Sequence, residues 1–191
     1  MLTDLARQSW AGLRALLVLT VVLGVGYPLV VWGVGQLLGD RAAGQPVHRD
    51  GEIVGSRLLG QAFEGEEWFH SRPSANDYDS LASAPSNLGP SSPDLLALIE
   101  ERRAEVADTE SVAGADVPPD ALTASGSGLD PHISPEYAAL QTPRVARATG
   151  LSQEEITALV REHTSGRALG FLGEPWVNVL ELNLAVLAQR S

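Results

Sequence analysis

Between Ala15 and Gly39 the chain runs 25 residues without a charged side chain. As a helix rising ~1.5 Å per residue, that run reaches ~37 Å, enough to cross a hydrocarbon layer of ~30 Å with some tilt. A backbone in hydrocarbon has to satisfy its own polar groups, so one isolated run of this length is compatible with a helix only. Within it, Val25-Gly26-Tyr27 repeats three letters of the Thr-Val-Gly-Tyr-Gly loop that lines potassium-channel filters. The local chemistry rejects that role. Gly24 stands where the threonine belongs, and Pro28, with its fixed φ, stands where the second glycine belongs. The stretch reads as part of a transmembrane helix.

The same helix carries features of a packed surface. Gly24, Gly26, Gly33 and Gly35 present little bulk, and Pro28 removes the N–H that would bond the Gly24 carbonyl. Thr20 and Gln36 are its polar side chains. The run exceeds the 7–15 residues of a cleaved leader, and Arg41 sits where a leader needs a small residue, so the segment is expected to remain as an anchor. Arg7 and Arg14 precede it and Arg41 and Arg49 follow, a nearly even balance. The terminal amine and Trp10 tip that balance towards a cytoplasmic N-terminus in the cell membrane, with the main domain outside.

The expected organisation is a short N-terminal tail over 1–14, a transmembrane helix over 15–38 and one soluble α+β domain over 39–191. Residues 40–191 carry 23 acidic residues and 11 arginines, a formal charge of −12. No basic stripe exists to neutralise phosphates, which excludes nucleic acid as a partner. Asp50-Gly51 between two extended runs predicts a hairpin. Trp68, Phe69 and Tyr78 inside a Ser/Pro/Asn/Gly-rich stretch predict a long but ordered loop. Ser92-Pro93 starts a helix with Leu95, Leu96, Ile99, Arg103 and Val106 at helical spacing. Ser134-Pro135 starts another, with a break or new start expected at Pro143 and an end at Gly150. Ser152 and Glu155 form a capping box for a helix running towards His163. The tail after Pro175 reads equally as strand or helix.

Several chemistries are excluded by residue type. The chain has no lysine, so it has neither a Walker A loop nor an Asp-Lys-Thr-Gly phosphorylation site. It has no cysteine, and His48, His70, His132 and His163 lack metal-ligand spacing, so no metal site is expected. Ser127, Asp130 and His132 are the residue types of acyl transfer, but neither Ser125 nor Ser127 lies in a Gly-x-Ser-x-Gly elbow. Asp130-Pro131-His132 reads more simply as a turn. A membrane-anchored serine hydrolase of the envelope using Ser127 and His132 is the alternative these residues leave, as is a single-pass binding module. Arg72 has the fork to hold a carboxylate, of a ligand or of the domain itself.

Taken in order, Tyr27-Pro28-Leu29, "GSRLLGQAF", "SRPSANDYD", "SNLGPSSPDL", "LTASGSGLDPHISPEYAALQTPRVAR" and "LGFLGEPWVNVLELNLAVL" resemble the KdpC family, the C subunits of the Kdp potassium-transporting ATPase. The resemblance runs along nearly the whole chain. Ala84 and Pro85 depart from it, standing where the family tends to carry glycines, and the lack of lysine touches none of these motifs. The resemblance implies a non-catalytic subunit working with a channel-like A subunit, a P-type ATP-hydrolysing B subunit and a small F subunit. It implies a catalytic chaperone that raises the B subunit's affinity for ATP in a ternary complex. It also implies nucleotide contact through Gln-x-x-Arg-Val-Ala, here Gln141, Arg144, Val145 and Ala146. A domain outside the membrane has no access to ATP on the cytoplasmic face; its influence would then travel through the membrane helices.

The orientation is open to a direct test. Because the chain has no cysteine, Ser83→Cys supplies a single thiol in the polar loop. With the domain outside, a membrane-impermeant thiol reagent labels it in intact cells, after any outer membrane is opened. Labelling that requires lysis of the inner membrane would reverse the topology.

Overall fold

The computed structural model describes residues 1–190, which form two compact units, residues 1–45 and the rest. In the first, α1 (Leu2–Val21) runs into a π-helical turn (Val22–Gly26) and then α2 (Tyr27–Leu38), ending in a 3-10 turn at Gly39–Arg41. Together these make one helix long and apolar enough to cross a membrane. It starts at Leu2, well before the apolar run, because residues 2–14 contain no helix breaker but Gly12 and place Asp4 at the positive end of the helix dipole. The expected disturbance at Pro28 takes the form of the π-turn just before it. There the Tyr27 N–H reaches back five residues, to the Val22 carbonyl.

The second unit opens with the hairpin β1 (Pro46–Arg49) and β2 (Glu52–Ser56), antiparallel, paired from Arg49↔Glu52 to Pro46↔Ser56. Its turn is Asp50-Gly51, with φ of 52° and 85°, the left-handed pair that a two-residue hairpin turn needs. A long loop follows, then α3 (Pro93–Glu110), the short α4 (Pro119–Leu122), β3 (His132–Ile133), α5 (Pro135–Thr149), α6 (Gln153–Glu162), β4 (Thr164–Ser165), β5 (Trp176–Asn178) and α7 (Val179–Arg190). The three short strands form an antiparallel sheet ordered β3-β5-β4. The fold is thus a long apolar helix followed by an α+β domain.

The caps read from the sequence set the helix starts. The hydroxyls of Ser92 and Ser134 accept the N–H groups of Leu95 and Tyr137. Ser152 and Glu155 complete their reciprocal box. Pro143 does not break α5, contrary to expectation. Gln141, Thr142, Arg144 and Val145 around it are all buried, and their tertiary contacts outweigh the one lost helical bond. The ambiguous tail divides at Asn178. Residues 176–178 fill the central strand, and the Asn178 carboxamide then accepts the Glu181 N–H and caps α7.

The core gathers Phe69, Val145, Ile156, Val177, Val179, Leu182 and Val186 between α5, α6, α7 and β5. Phe69 belongs to the long loop yet is fully buried, and its main chain has no strand partner. Asn183 of α7 replaces one: its Oδ1 accepts the Phe69 N–H at 2.8 Å and its Nδ2 donates to the Phe69 carbonyl at 3.0 Å. The loop also approaches the Leu129–Asp130 backbone so closely that a Cβ at Gly60 would lie 2.6 Å from the Asp130 carbonyl oxygen. Only glycine fits there.

Asn183→Leu keeps the bulk but strips the partners from both the N–H and the C=O of buried Phe69. The expected loss is roughly 2–4 kcal/mol of unfolding free energy. Gln189→Leu, on the exposed end of α7, should change stability by no more than about 0.5 kcal/mol. Urea titration of the full chain in detergent measures both; equal effects would remove the amide from its role.

Candidate functional site

Gln141 and Arg144 lie one turn apart on the buried face of α5, and Arg144 is the centre of a polar cluster. Its Nε donates to Glu110 Oε1 at 2.9 Å, one terminal nitrogen donates to the carbonyls of Glu66 and Trp68 at 2.6 and 2.9 Å, and the other donates to Gln141 Oε1 at 2.9 Å. The side chains of Arg144 and Glu110 are only 3% and 2% exposed. Gln141 in turn accepts the His70 N–H at 2.6 Å and donates to the His70 carbonyl at 3.1 Å. Glu66, Trp68 and His70 are therefore all held by two side chains of one helix.

The electrostatics follow from this burial. Burial pushes the Glu110 carboxyl up from its usual range, and the Arg144 guanidinium only partly opposes that. Burial, and then Arg144, lowers the His70 imidazole, whose Nε2 lies 2.9 Å from the Gly65 carbonyl oxygen. Burial raises the Tyr137 hydroxyl strongly. A cleft of about 270 Å³ opens beside the cluster, lined by His70, Arg102, Glu105, Thr109, Glu110 and Tyr137 among others. That volume lies below the ~300–1,000 Å³ of usual ligand pockets, and its wall carries charges of both signs, Arg102 beside Glu105 and the Arg144-paired Glu110.

A second cluster contains the residues considered for acyl transfer. Asp130 Oδ2 accepts Arg72 at 3.0 Å, while Oδ1 accepts the His132 N–H at 3.0 Å and lies 3.4 Å from His132 Nδ1. Burial alone would raise this carboxyl, but the hydrogen bonds from His132 and Arg72 outweigh it and hold it below the usual range. The His132 ring lies against Trp176, tilted by 43° with centroids 4.0 Å apart. Ser127 Oγ accepts the Leu129 N–H at 3.1 Å, and among the described residues no hydrogen bond joins it to His132. Asp130 and His132 meet, but the nucleophile does not join them, and the serine-hydrolase alternative has no assembled triad. Arg72 also donates to the Thr123 carbonyl, so its fork ties the domain together. Among the described residues no group of three or more His, Cys, Asp or Glu converges on a metal position.

Sequence reasoning missed Glu110 and Asn183. Glu110 closes a helix rich in exposed acids and carries no local mark of burial, and Asn183 sits in an apolar run that offered a polar face instead. Neither partner is visible without the tertiary fold.

The family model described as "K+-transporting ATPase, c chain" matches residues 9–188. A Kineococcus radiotolerans protein called potassium-transporting ATPase KdpC subunit is 63% identical over 187 residues, covering 97% of this chain and 95% of that one. A protein of the same name from Streptomyces coelicolor is 48% identical over 213 residues, covering 97% and 94%. Another, from Mycobacterium tuberculosis, is 50% identical over 184 residues, covering 94% and 97%.

The buried ion pair makes a prediction with a pH sign. Glu110 holds its proton to higher pH when folded than when unfolded. Its contribution therefore favours folding at low pH and fades as pH rises through the interval between the two values. Arg144 limits that fade by favouring the carboxylate. In Arg144→Met the expected cost is about 3–5 kcal/mol at about pH 8 and smaller at about pH 5. Adding Glu110→Gln should flatten this difference. Urea midpoints at the two pH values provide the test; an equal loss at both would place the whole effect in the lost bonds to Glu66 and Trp68.

Proposed function

The chain belongs to the KdpC family of K+-transporting ATPase c chains, and from that membership we propose that it is a non-hydrolytic, membrane-anchored subunit of an ATP-driven potassium uptake complex. One observation carries the reading: the match extends from the span to the last helix, over 97% of this chain and 95% of a relative bearing that name. The absence of lysine supports a subunit without its own phosphate-transfer machinery. Its partners in this reading are a channel-like A subunit, a P-type B subunit and a small F subunit, in the cell membrane, with the N-terminus cytoplasmic and the domain outside.

The finer role proposed is that of a catalytic chaperone raising the B subunit's affinity for ATP. Gln141 and Arg144 enter this role as the clamp that shapes the domain. Direct nucleotide contact would require their bonds to Glu110, His70, Glu66 and Trp68 to open first. The burial of both residues, the small size of the cleft and an outside domain favour one route. The influence on ATP passes through the membrane helices, with ATP itself bound to the partner.

Purification of the chain in mild detergent should recover a channel-like chain and a P-type ATPase chain with it. Recovery alone would refute the assignment. The span is expected to be part of the assembly surface: a Cβ at Gly33 meets nothing within 4 Å, and one at Gly26 approaches only the Val21 carbonyl at 3.7 Å. Gly26→Leu with Gly33→Leu therefore leaves the helix able to form and insert while adding bulk outside it. The double variant should reach the membrane, copurify poorly and lose potassium-stimulated ATP hydrolysis. Full assembly and turnover would reduce the helix to a tether.

A further inference from the structure

The middle of the span contains a hydrogen-bonding deficit that its own helix cannot close. The Tyr27 N–H bonds to the Val22 carbonyl, five residues back, and so is withdrawn from Leu23, its partner in an α-helix. Pro28 has no N–H to give to Gly24. Two successive carbonyls thus lose their α-helical donors. The next donor along, the Leu29 N–H, is the α-helical partner of Val25 and reaches Gly24 only by leaving that carbonyl open instead. The nearest polar side chain on the same face does not help, since Thr20 turns its Cγ2 methyl towards Gly24, 3.8 Å from where a Cβ would lie. Gly24 lies nine residues beyond Ala15 and fourteen before Leu38, ~13 Å inside one end of the span and within the hydrocarbon core. Water is absent at that depth, and an open carbonyl there costs several kcal/mol.

We infer that the Gly24 carbonyl is a docking point for a neighbouring transmembrane helix, one whose side chain donates a hydrogen bond to it. The donor is a Ser, Thr, Asn, Gln, His or Trp side chain carried at mid-membrane depth by a helix of the transporter. This rests on the transporter reading above and adds to it the place and chemistry of one contact. The absence of side chains at Gly24 and Gly26 lets the partner backbone approach closely enough for a short side chain to reach. Close approach and an open acceptor coincide at one position, which a stripe of small residues alone would not supply.

The sequence allows this carbonyl to be observed singly. Gly-Val occurs only at Gly24-Val25 and Gly33-Val34. Carbonyl-¹³C glycine with ¹⁵N valine therefore leaves just those two peptide bonds doubly labelled, the second being a control in regular helix. Solid-state NMR of the full chain in bilayers, alone and reconstituted with unlabelled partner subunits, should show the Gly24 carbonyl resonance moving downfield on assembly while Gly33 stays. It should also correlate with a proton that is not water. Three outcomes would overturn the inference: a Gly24 resonance already hydrogen-bonded in the isolated chain, one that does not move in the complex, or a correlation to exchanging water.

Pro28→Leu supplies the missing N–H. It should fix the Gly24 resonance in the isolated chain and weaken retention of the partners by about threefold to thirtyfold, the range for one hydrogen bond between membrane helices. Unchanged retention counts against the docking contact. Failure of the parent chain to assemble at all would refute the transporter reading as well. Copurification detects that separately from a complex that forms with Gly24 unmoved.

Discussion

Two side-chain amides hold the domain together. Asn183 and Gln141 take the N–H and C=O of Phe69 and His70, as a neighbouring strand would, and so bury a loop segment without leaving its backbone unpaired. Phe69 can then sit at the centre of the core although it belongs to no strand or helix. The cost of this solution is a buried polar layer. Gln141 needs Arg144 on its second lone pair, Arg144 needs a counter-charge, and Glu110 supplies it with one oxygen while the other has no partner among the described residues. The chain of dependence runs from one loop residue to a carboxylate on another helix.

How much of this was legible differs by kind of signal. Local signals read well: Asp50-Gly51 marks its hairpin, and Ser92, Ser134 and Ser152 mark helix starts, because caps and turns are decided within four residues. Pro143 misled because a local rule met a tertiary exception, with four buried neighbours keeping α5 continuous. The tail after Pro175 stayed ambiguous because its apolar pattern fits either period, and the capping carboxamide of Asn178 divides it. The order of the long loop was visible in its aromatic residues, but its means was not. Nothing near Phe69 announces that an asparagine 114 positions later is its partner. The candidate site shows the same division. Asp130 and His132 are two positions apart in sequence and meet in space, whereas Ser127 turns to its own loop and Arg144 pairs with a residue 34 positions away.

A motif read through a resemblance does not say whether its residues serve contact or structure. Burial separates these for Gln141 and Arg144. A residue that binds an exchanging ligand needs free donors and solvent access. Gln141 is 0% exposed and Arg144 3%, with Arg144 bonded at all three of its nitrogens. Their types suit a phosphate or a base as well as they suit a clamp, which is why the sequence alone supports both. Their geometry favours the clamp. The acidity of the domain points the same way, since a net −12 over residues 40–191 draws cations and repels a polyphosphate, within the ~8–10 Å that salt permits.

The two units meet the same physical demand under opposite solvents. In the domain, a loop whose backbone lacks a strand is satisfied by amides of the same chain, because water-excluded polar groups have to be paired and α5 and α7 are at hand to do it. In the span, the π-turn and Pro28 withdraw two donors where neither water nor another segment of the apolar helix replaces both. A helix meant only to tether has no reason to keep that deficit, since leucine at position 28 would close it and lengthen the uninterrupted helix. A helix meant to lodge against others gains from it, because an acceptor that only the correct neighbour satisfies fixes depth and rotation, which apolar packing in lipid leaves loosely set. The domain's polar layer is thus met from within except at one Glu110 oxygen, and the anchor, by the docking inferred above, is the part of the chain left open for a partner to complete.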